Sequence, residues 1–175
     1  MGGTEGGCTV WLTGLPSSGK TTLANGLADR LRAAGARVEV LDGDVVRARL
    51  TRELGFSRAD RSENVRRVGF VADLLSRNGV VAVCALVSPY REDRDAVRAM
   101  HAGRFVEVHV ATPLSVCSAR DVKGLYARQR EGALRGLTGV DDPYEAPLHP
   151  EVVVPTHDRD VAASVDLIWG ALHAR

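Results

Sequence analysis

The chain has 175 residues, enough for one domain with a sizeable core, and 26% of them are charged with a formal net charge of +1. That near-balance excludes a global field that would select nucleic acid or an anionic membrane, so any basic requirement must be met locally, in a cleft. No apolar run reaches membrane-spanning length, residues 1–7 lack the regions of a signal peptide, and the three cysteines, Cys8, Cys84 and Cys117, follow no metal spacing. Reduced, buried thiols in a cytoplasmic protein are the expectation. Residues 1–7 read as a flexible leader and 8–175 as one domain.

Val10 to Leu12 is a short apolar run that predicts a buried strand, and Leu23 to Leu31 is an amphipathic segment that predicts a helix. Between them lie Gly14, Leu15, Pro16, Ser17, Ser18, Gly19, Lys20, Thr21 and Thr22. Gly14 to Thr21 fill the GxxxxGK[ST] phosphate-loop pattern in its strand–loop–helix context. Glycines admit torsions closed to other residues, so successive N–H groups can point at one anion. The helix adds its positive dipole end, Lys20 adds a full charge, and Thr21 offers a hydroxyl to Mg²⁺. The chain is expected to bind a nucleoside triphosphate.

Val38 to Leu41 predicts a second buried strand, ending in Asp42-Gly-Asp44 at the carboxyl end where ligands of open α/β sheets collect. A short helical stretch, Val45 to Leu50, precedes the loop Leu54 to Ser57, and Ser57 is a candidate N-cap for a helix running to about Arg77. Val65, Val68, Val71, Ala72 and Leu75 form its apolar stripe. Val80 to Leu86 predicts the central strand, followed by Ser88-Pro-Tyr-Arg91 and a charged helix over Glu92 to His101. Phe105 to Val110 predicts the next strand, Thr112-Pro113 opens a helix to about Arg120, and Asp121 to Asp142 breaks the periodicity. Val152 to Val154 and Val161 to Leu172 predict a last strand and a closing helix. Five strands alternating with helices give a parallel sheet covered on both faces, a three-layer α/β/α sandwich of the P-loop kinase kind.

Phosphoryl transfer needs charge neutralisation and a means of orienting the attacking oxygen. Asp42 and Asp44 could hold Mg²⁺ through water and accept a proton, or could simply form a turn that caps the next helix. Arg61 and Asn64 share a helix face, and arginine's planar fork suits a tetrahedral oxyanion, which implies an anionic second substrate. Arg58, Glu63 and Arg66 read instead as a solvated ion-paired face. Phe56 either plugs a core edge or stacks on a base. Ser88 could touch a phosphate or cap the following helix. Lys123, Arg128, Arg130 and Arg135 suggest a cationic lid over the triphosphate. The five histidines share no ligand spacing.

Taken in order, these stretches resemble the adenylylsulfate kinase (APS kinase) family. The resemblance runs through Gly14–Thr22, Asp42-Gly-Asp44 with Arg47, Leu54–Ser57, Asp60-Arg61, Glu63-Asn64, Val87–Arg91, Ala119–Asp121, Lys123–Tyr126 and Thr138–Pro147. It implies transfer of phosphate from MgATP to the 3′-hydroxyl of adenosine 5′-phosphosulfate, giving 3′-phosphoadenylyl sulfate for sulfate assimilation. It further implies that Lys20 and Thr21 hold the ATP phosphates and Mg²⁺, Asp44 is the base, and Asp42 supports the metal. Arg47, Arg61 and Asn64 would grip the acceptor, and Phe56 would stack on its adenine. Lys123 would approach the transferring phosphate or the acceptor. Ser88 matches the serine the family labels a phosphoserine, but in-line transfer needs no phosphoenzyme, and Val87, Ser88 and Pro89 would position the acceptor.

Leu137 stands where the family commonly has an aromatic residue on the adenine's other face, and Val45 where it usually has Asn. Those departures leave room for a relative acting on a different small-molecule hydroxyl. The site set argues against a regulatory nucleotide-binding subunit without turnover. The resemblance also implies a homodimer and functional coupling to ATP sulfurylase, with no nucleic-acid or membrane partner.

Overall fold

The computed structural model describes residues 6–174. Among them the strands β1 (Thr9–Thr13), β2 (Val38–Asp42), β3 (Val81–Ala85), β4 (Phe105–Val110) and β5 (Val152–Val154) form one all-parallel sheet of order β2-β3-β1-β4-β5. The helices are α1 (Lys20–Ala33), α2 (Gly43–Arg49), α3 (Arg58–Arg77), α4 (Arg91–Met100), α5 (Leu114–Arg120), α6 (Leu125–Arg130) and α7 (Val161–His173). The expected three-layer sandwich with a five-stranded parallel sheet is therefore present.

Two apolar clusters, one on each face, explain why β1 is buried at every position. Val10 and Leu12 face a cluster with Leu23, Leu27 and Leu31 of α1 and Ile168 and Leu172 of α7. Trp11 faces the other, with Val65, Val68 and Ala72 of α3, Val97 of α4 and Phe105. A strand with helices on both sides reads as a continuous apolar run rather than an alternating one. The sheet order corrects two expectations. The central strand is β1, with β3 beside it, and β2 is a half-buried edge strand because it has a neighbour on one side only.

Ser57 is the N-cap of α3, its Oγ accepting from Asp60 N at 3.1 Å. Val65, Val68 and Ala72 are buried as expected, whereas Val71 and Leu75 are only half-buried. A Cβ at Gly69 would lie 2.5 Å from Val97 Cγ2, so a glycine there lets α3 and α4 approach closely. The stretch 121–142 is less irregular than its lost periodicity implies. It contains α6, and Tyr126 and Leu137 pack with Cys117 and Leu15 into a small cluster of their own.

Cys84 and Cys117 are buried free thiols and Cys8 is partly buried. Of the leader expected over 1–7, residues 1–5 lie outside the described range. Gly6 is exposed, while Gly7 is buried where a side chain would collide with the Ser76 carbonyl. Among the described residues no helix is long and apolar enough to cross a membrane.

Candidate active site

One cleft of about 760 Å³ opens at the carboxyl ends of the strands. Pro16 to Thr22 line it, as do Asp42, Asp44, Arg47, Phe56, Arg61, Asn64, Val87, Ser88, Pro89, Lys123 and Leu137. Gly14 and Leu15 do not. Gly14 lies beneath the loop, where a Cβ would sit 2.7 Å from the Val110 carbonyl, and Leu15 packs against the Leu137 cluster.

The phosphate loop is shaped by its own backbone and by donors behind it. Gly19 takes φ +103° as the N-cap of α1, and Ser17 takes φ +60°. The Ser18 carbonyl accepts from Thr112 Oγ1 at 2.9 Å and Thr156 Oγ1 at 2.8 Å. Lys20 Nζ donates to the Gly14 and Leu15 carbonyls at 2.9 and 2.7 Å and to Ser18 Oγ at 3.3 Å. Several of the loop's oxygens are thus occupied by protein donors. Burial pushes the pKa of the Lys20 ammonium down to about 7. Ser17 Oγ is buried without a partner, an unusual state for a hydroxyl.

Asp42 combines both readings of the Asp-Gly-Asp turn. Its Oδ1 accepts from Asp44 N at 3.0 Å, capping α2, while its Oδ2 accepts from Thr21 Oγ1 at 2.7 Å. A hydroxyl and a carboxylate placed together beside a phosphate loop are hard oxygen donors of the kind Mg²⁺ takes alongside nucleotide phosphates. Among the described residues no group of three or more His, Cys, Asp or Glu could form a metal cage.

On the facing side, Lys123 Nζ donates to Asp44 Oδ2. Phe56 is 65% exposed, with the guanidinium carbons of Arg47 and Arg61 at 4.4 and 5.5 Å from its ring centroid. It plugs no core edge. Arg47 also donates to the Gly55 carbonyl at 2.9 Å. Arg61 is nearly buried and heavily engaged, donating to the Phe56 carbonyl at 2.9 Å, the Gly136 carbonyl at 2.7 Å and Thr138 Oγ1 at 3.1 Å, with Asp142 at 3.3 Å. It therefore ties α3 to the lid. Asn64 Oδ1 accepts from Thr51 Oγ1 at 2.7 Å.

Ser88 takes φ +39° and its Oγ accepts from Trp11 Nε1 at 3.0 Å. It is not a helix cap, because Tyr90 holds the N-cap position of α4. The lid is less cationic toward the cleft than expected. Lys123 and Arg135 line it, whereas Arg128 is exposed away from the lining and Arg130 donates to Ser118 Oγ at 3.1 Å. Arg58 and Arg66 pair with Glu92 at 3.7 Å and Glu63 at 2.7 Å on the exposed helix face.

Sequence reasoning missed Arg120 and Thr156, which meet behind Gly19 with Arg120 Nη1 donating to Thr156 Oγ1 at 2.8 Å. Thr156 follows β5, so the strand-end rule that picked out Asp42 and Ser88 carried the signal for it. Arg94, buried behind Ser88, gave no such signal within its charged helix.

A sequence profile of the adenylylsulphate kinase family matches residues 6–155. The chain is 54% identical over 168 residues to an adenylyl-sulfate kinase of Synechococcus sp. (strain JA-3-3Ab), covering 96% of this chain and 95% of that one. Its fold superposes with a TM-score of 0.92 and 40% identity on the Mycobacterium tuberculosis APS kinase CysC in complex with AMPPNP and APS, covering 96% and 98% of the two chains. A hexameric APS kinase from Thiobacillus denitrificans matches with a TM-score of 0.74 and 38% identity, over 97% of this chain and 29% of that one. The chain belongs to the adenylylsulphate kinase family.

Proposed function

We propose that the protein transfers the γ-phosphoryl group of ATP to the 3′-hydroxyl of adenosine 5′-phosphosulfate, releasing ADP and 3′-phosphoadenylyl sulfate. The observation that carries this reading is that one cleft joins a phosphate loop to the Asp44, Phe56, Arg61 and Asn64 set, which a simple nucleotide binder has no use for. Membership of the family supports the choice of acceptor.

The loop N–H groups and Lys20 would take the ATP phosphates, with Arg120 and Thr156 on the nucleotide side. Thr21 and Asp42 would hold Mg²⁺, which when bound neutralises phosphate charge. Asp44 accepts the proton of the 3′-hydroxyl as its oxygen attacks phosphorus, and the bond from the γ-phosphorus to the β,γ-bridging oxygen breaks, leaving ADP. Lys123, now beside Asp44, turns to the phosphate in transit and offsets its charge. Phe56 offers an open ring face to the acceptor adenine. Ser88 acts through its backbone and packing, since its hydroxyl faces Trp11. No phosphoenzyme is needed.

The test is ADP release by the purified protein with ATP and Mg²⁺, with and without adenosine 5′-phosphosulfate, and identification of the product. Strict dependence on the acceptor is expected. Release no faster with it than without it overturns this acceptor and favours another hydroxyl compound. The family resemblance also supports a homodimer, to be tested by sedimentation equilibrium, and a supply of acceptor from ATP sulfurylase.

A further inference from the structure

We propose that Arg94, which does not itself line the cleft, is a positioning residue that sets the acceptor wall through the carbonyl of Ser88. The inference rests on reading Val87, Ser88 and Pro89 as that wall. Arg94 is 1% exposed on α4 and uses its guanidinium in three directions. Nε donates to Glu107 Oε1 on β4 at 2.8 Å, Nη1 to the Ser88 carbonyl at 2.6 Å, and Nη2 to the Glu145 carbonyl at 2.6 Å. These are charge-assisted bonds from a rigid planar fork, so they fix directions as well as distances.

The wall needs such a grip. Ser88 sits at φ +39°, a costly conformation for a residue with a Cβ, which persists only where its surroundings enforce it. Around it, Trp11 Nε1 donates to Ser88 Oγ at 3.0 Å and Thr13 Oγ1 to the Val87 carbonyl at 2.7 Å. The strap from Pro143 to Pro147 is held to the same loop, because Glu145 N donates to the Pro89 carbonyl at 2.8 Å and Arg91 N to Glu145 Oε2 at 2.9 Å. Loop, strap and β4 thus meet on one guanidinium.

Stability alone need not account for this arrangement. Replacing a buried ion pair by apolar side chains of similar volume is often neutral or stabilising. What Arg94 and Glu107 add is a fixed orientation for two carbonyls, which Lys or Met cannot reproduce. Arg98 would keep Glu151 as a partner, at 2.5 Å, if Glu107 were removed.

The experiment compares Arg94→Lys, the double variant Arg94→Met/Glu107→Met and Pro89→Ala, in a Trp169→Phe background that leaves Trp11 as the sole tryptophan. KM for adenosine 5′-phosphosulfate, KM for MgATP and Trp11 emission are measured on protein with cooperative unfolding transitions. For both Arg94 variants we expect the acceptor KM to rise about tenfold, the MgATP KM to change by less than about twofold, and Trp11 emission to shift. Should the double variant not fold, Arg94→Lys carries the test alone. A folded Arg94 variant with unchanged acceptor KM, while Pro89→Ala raises it, overturns the role of Arg94 but leaves the wall standing. Pro89→Ala with unchanged acceptor KM removes the wall itself. Equal rises in both KM values reduce Arg94 to a general structural residue.

Discussion

Asp44, in the first turn of α2, and Lys123, in the lid, stand 79 residues apart in sequence and form an ion pair at the cleft. Their side chains are 68% and 52% exposed, and solvent-exposed pairs of this kind contribute little to folding stability. The pair therefore adds little to the fold, and on the proposed reading its two members act in the chemistry. Asp44→Asn is expected to lower kcat by about 10²–10⁴-fold, the usual worth of a positioned base, while moving Tm by less than about 2 °C. Binding of MgATP should persist. Turnover and a thermal melt on the same preparation check this, and undiminished turnover would remove Asp44 as the base.

Lys20 links nucleotide binding to protons. Burial lowers its pKa from 10.5 to about 7, and phosphate oxygens beside it favour the charged form and raise it again. Below the lowered value the lysine is protonated with or without nucleotide, so binding takes up no proton. Above it the free protein has lost that proton and the complex regains it. Titration calorimetry in buffers of differing ionisation heat is expected to show uptake near zero at about pH 6 and approaching one proton at about pH 8.5, with affinity falling across the interval. The same depression means that the unfolded chain binds more protons than the folded one between the two pKa values, so stability of the nucleotide-free protein rises with pH there. Lys20→Met should abolish both effects.

Arg61 spends its donors on the protein, at the Phe56 and Gly136 carbonyls and Thr138 Oγ1. Lysine cannot span those three acceptors. Arg61→Lys is expected to cost about 1–3 kcal/mol in denaturant unfolding and to speed proteolysis within residues 131–142. A variant with unchanged stability and proteolysis would show that the lid is held elsewhere.

Leu137 has two roles that two substitutions separate. It is 5% exposed in the cluster with Cys117 and Tyr126, so Leu137→Ala is expected to cost about 2–5 kcal/mol. It also lines the cleft, so Leu137→Phe should present a stacking face and lower the acceptor KM, at an overpacking cost of about 1–3 kcal/mol. Chemical denaturation and initial-rate kinetics read the two effects. A raised or unchanged KM would place the Leu137 side chain away from the acceptor.

The fold was legible because its strands and helices announce themselves locally. β1 has an apolar centre from Val10 to Leu12, β3 is an uninterrupted apolar run, Ser57 precedes a clear 3.6-residue stripe, and the spacing of Gly14, Gly19 and Lys20 has few other uses. Sheet order was not legible, since apolar runs say that a strand is buried but not which strand lies in the middle. The half-buried edge position of β2 is a property of the assembled sheet. Within the site, residues at strand ends stood out because the rule for ligands is positional. Arg94 did not, because nothing in Arg91–Met100 distinguishes a guanidinium aimed into the core from one in water. Likewise Arg128 and Arg130 look the same in sequence as Lys123, and only the turn made by α6 sends them outward.

The sheet order has one more consequence. β1 divides the lining of the cleft into two halves that are anchored differently. On one side, β4 and β5 deliver Thr112, Arg120 and Thr156 to the phosphate loop, and their bonds converge on the single carbonyl of Ser18. On the other, β2 and β3 deliver Asp42-Gly-Asp44 and Val87 to Pro89 by separate loops. The first half is a shared fitting, in which one altered part disturbs the rest. The second is bolted across the sheet, since Thr21 of α1 donates to Asp42 and Arg94 joins the Ser88 carbonyl to Glu107 on β4. Any change of acceptor on this frame would therefore have to respect two anchors, one running from Asp42 to the phosphate-loop helix and one from Ser88 to β4.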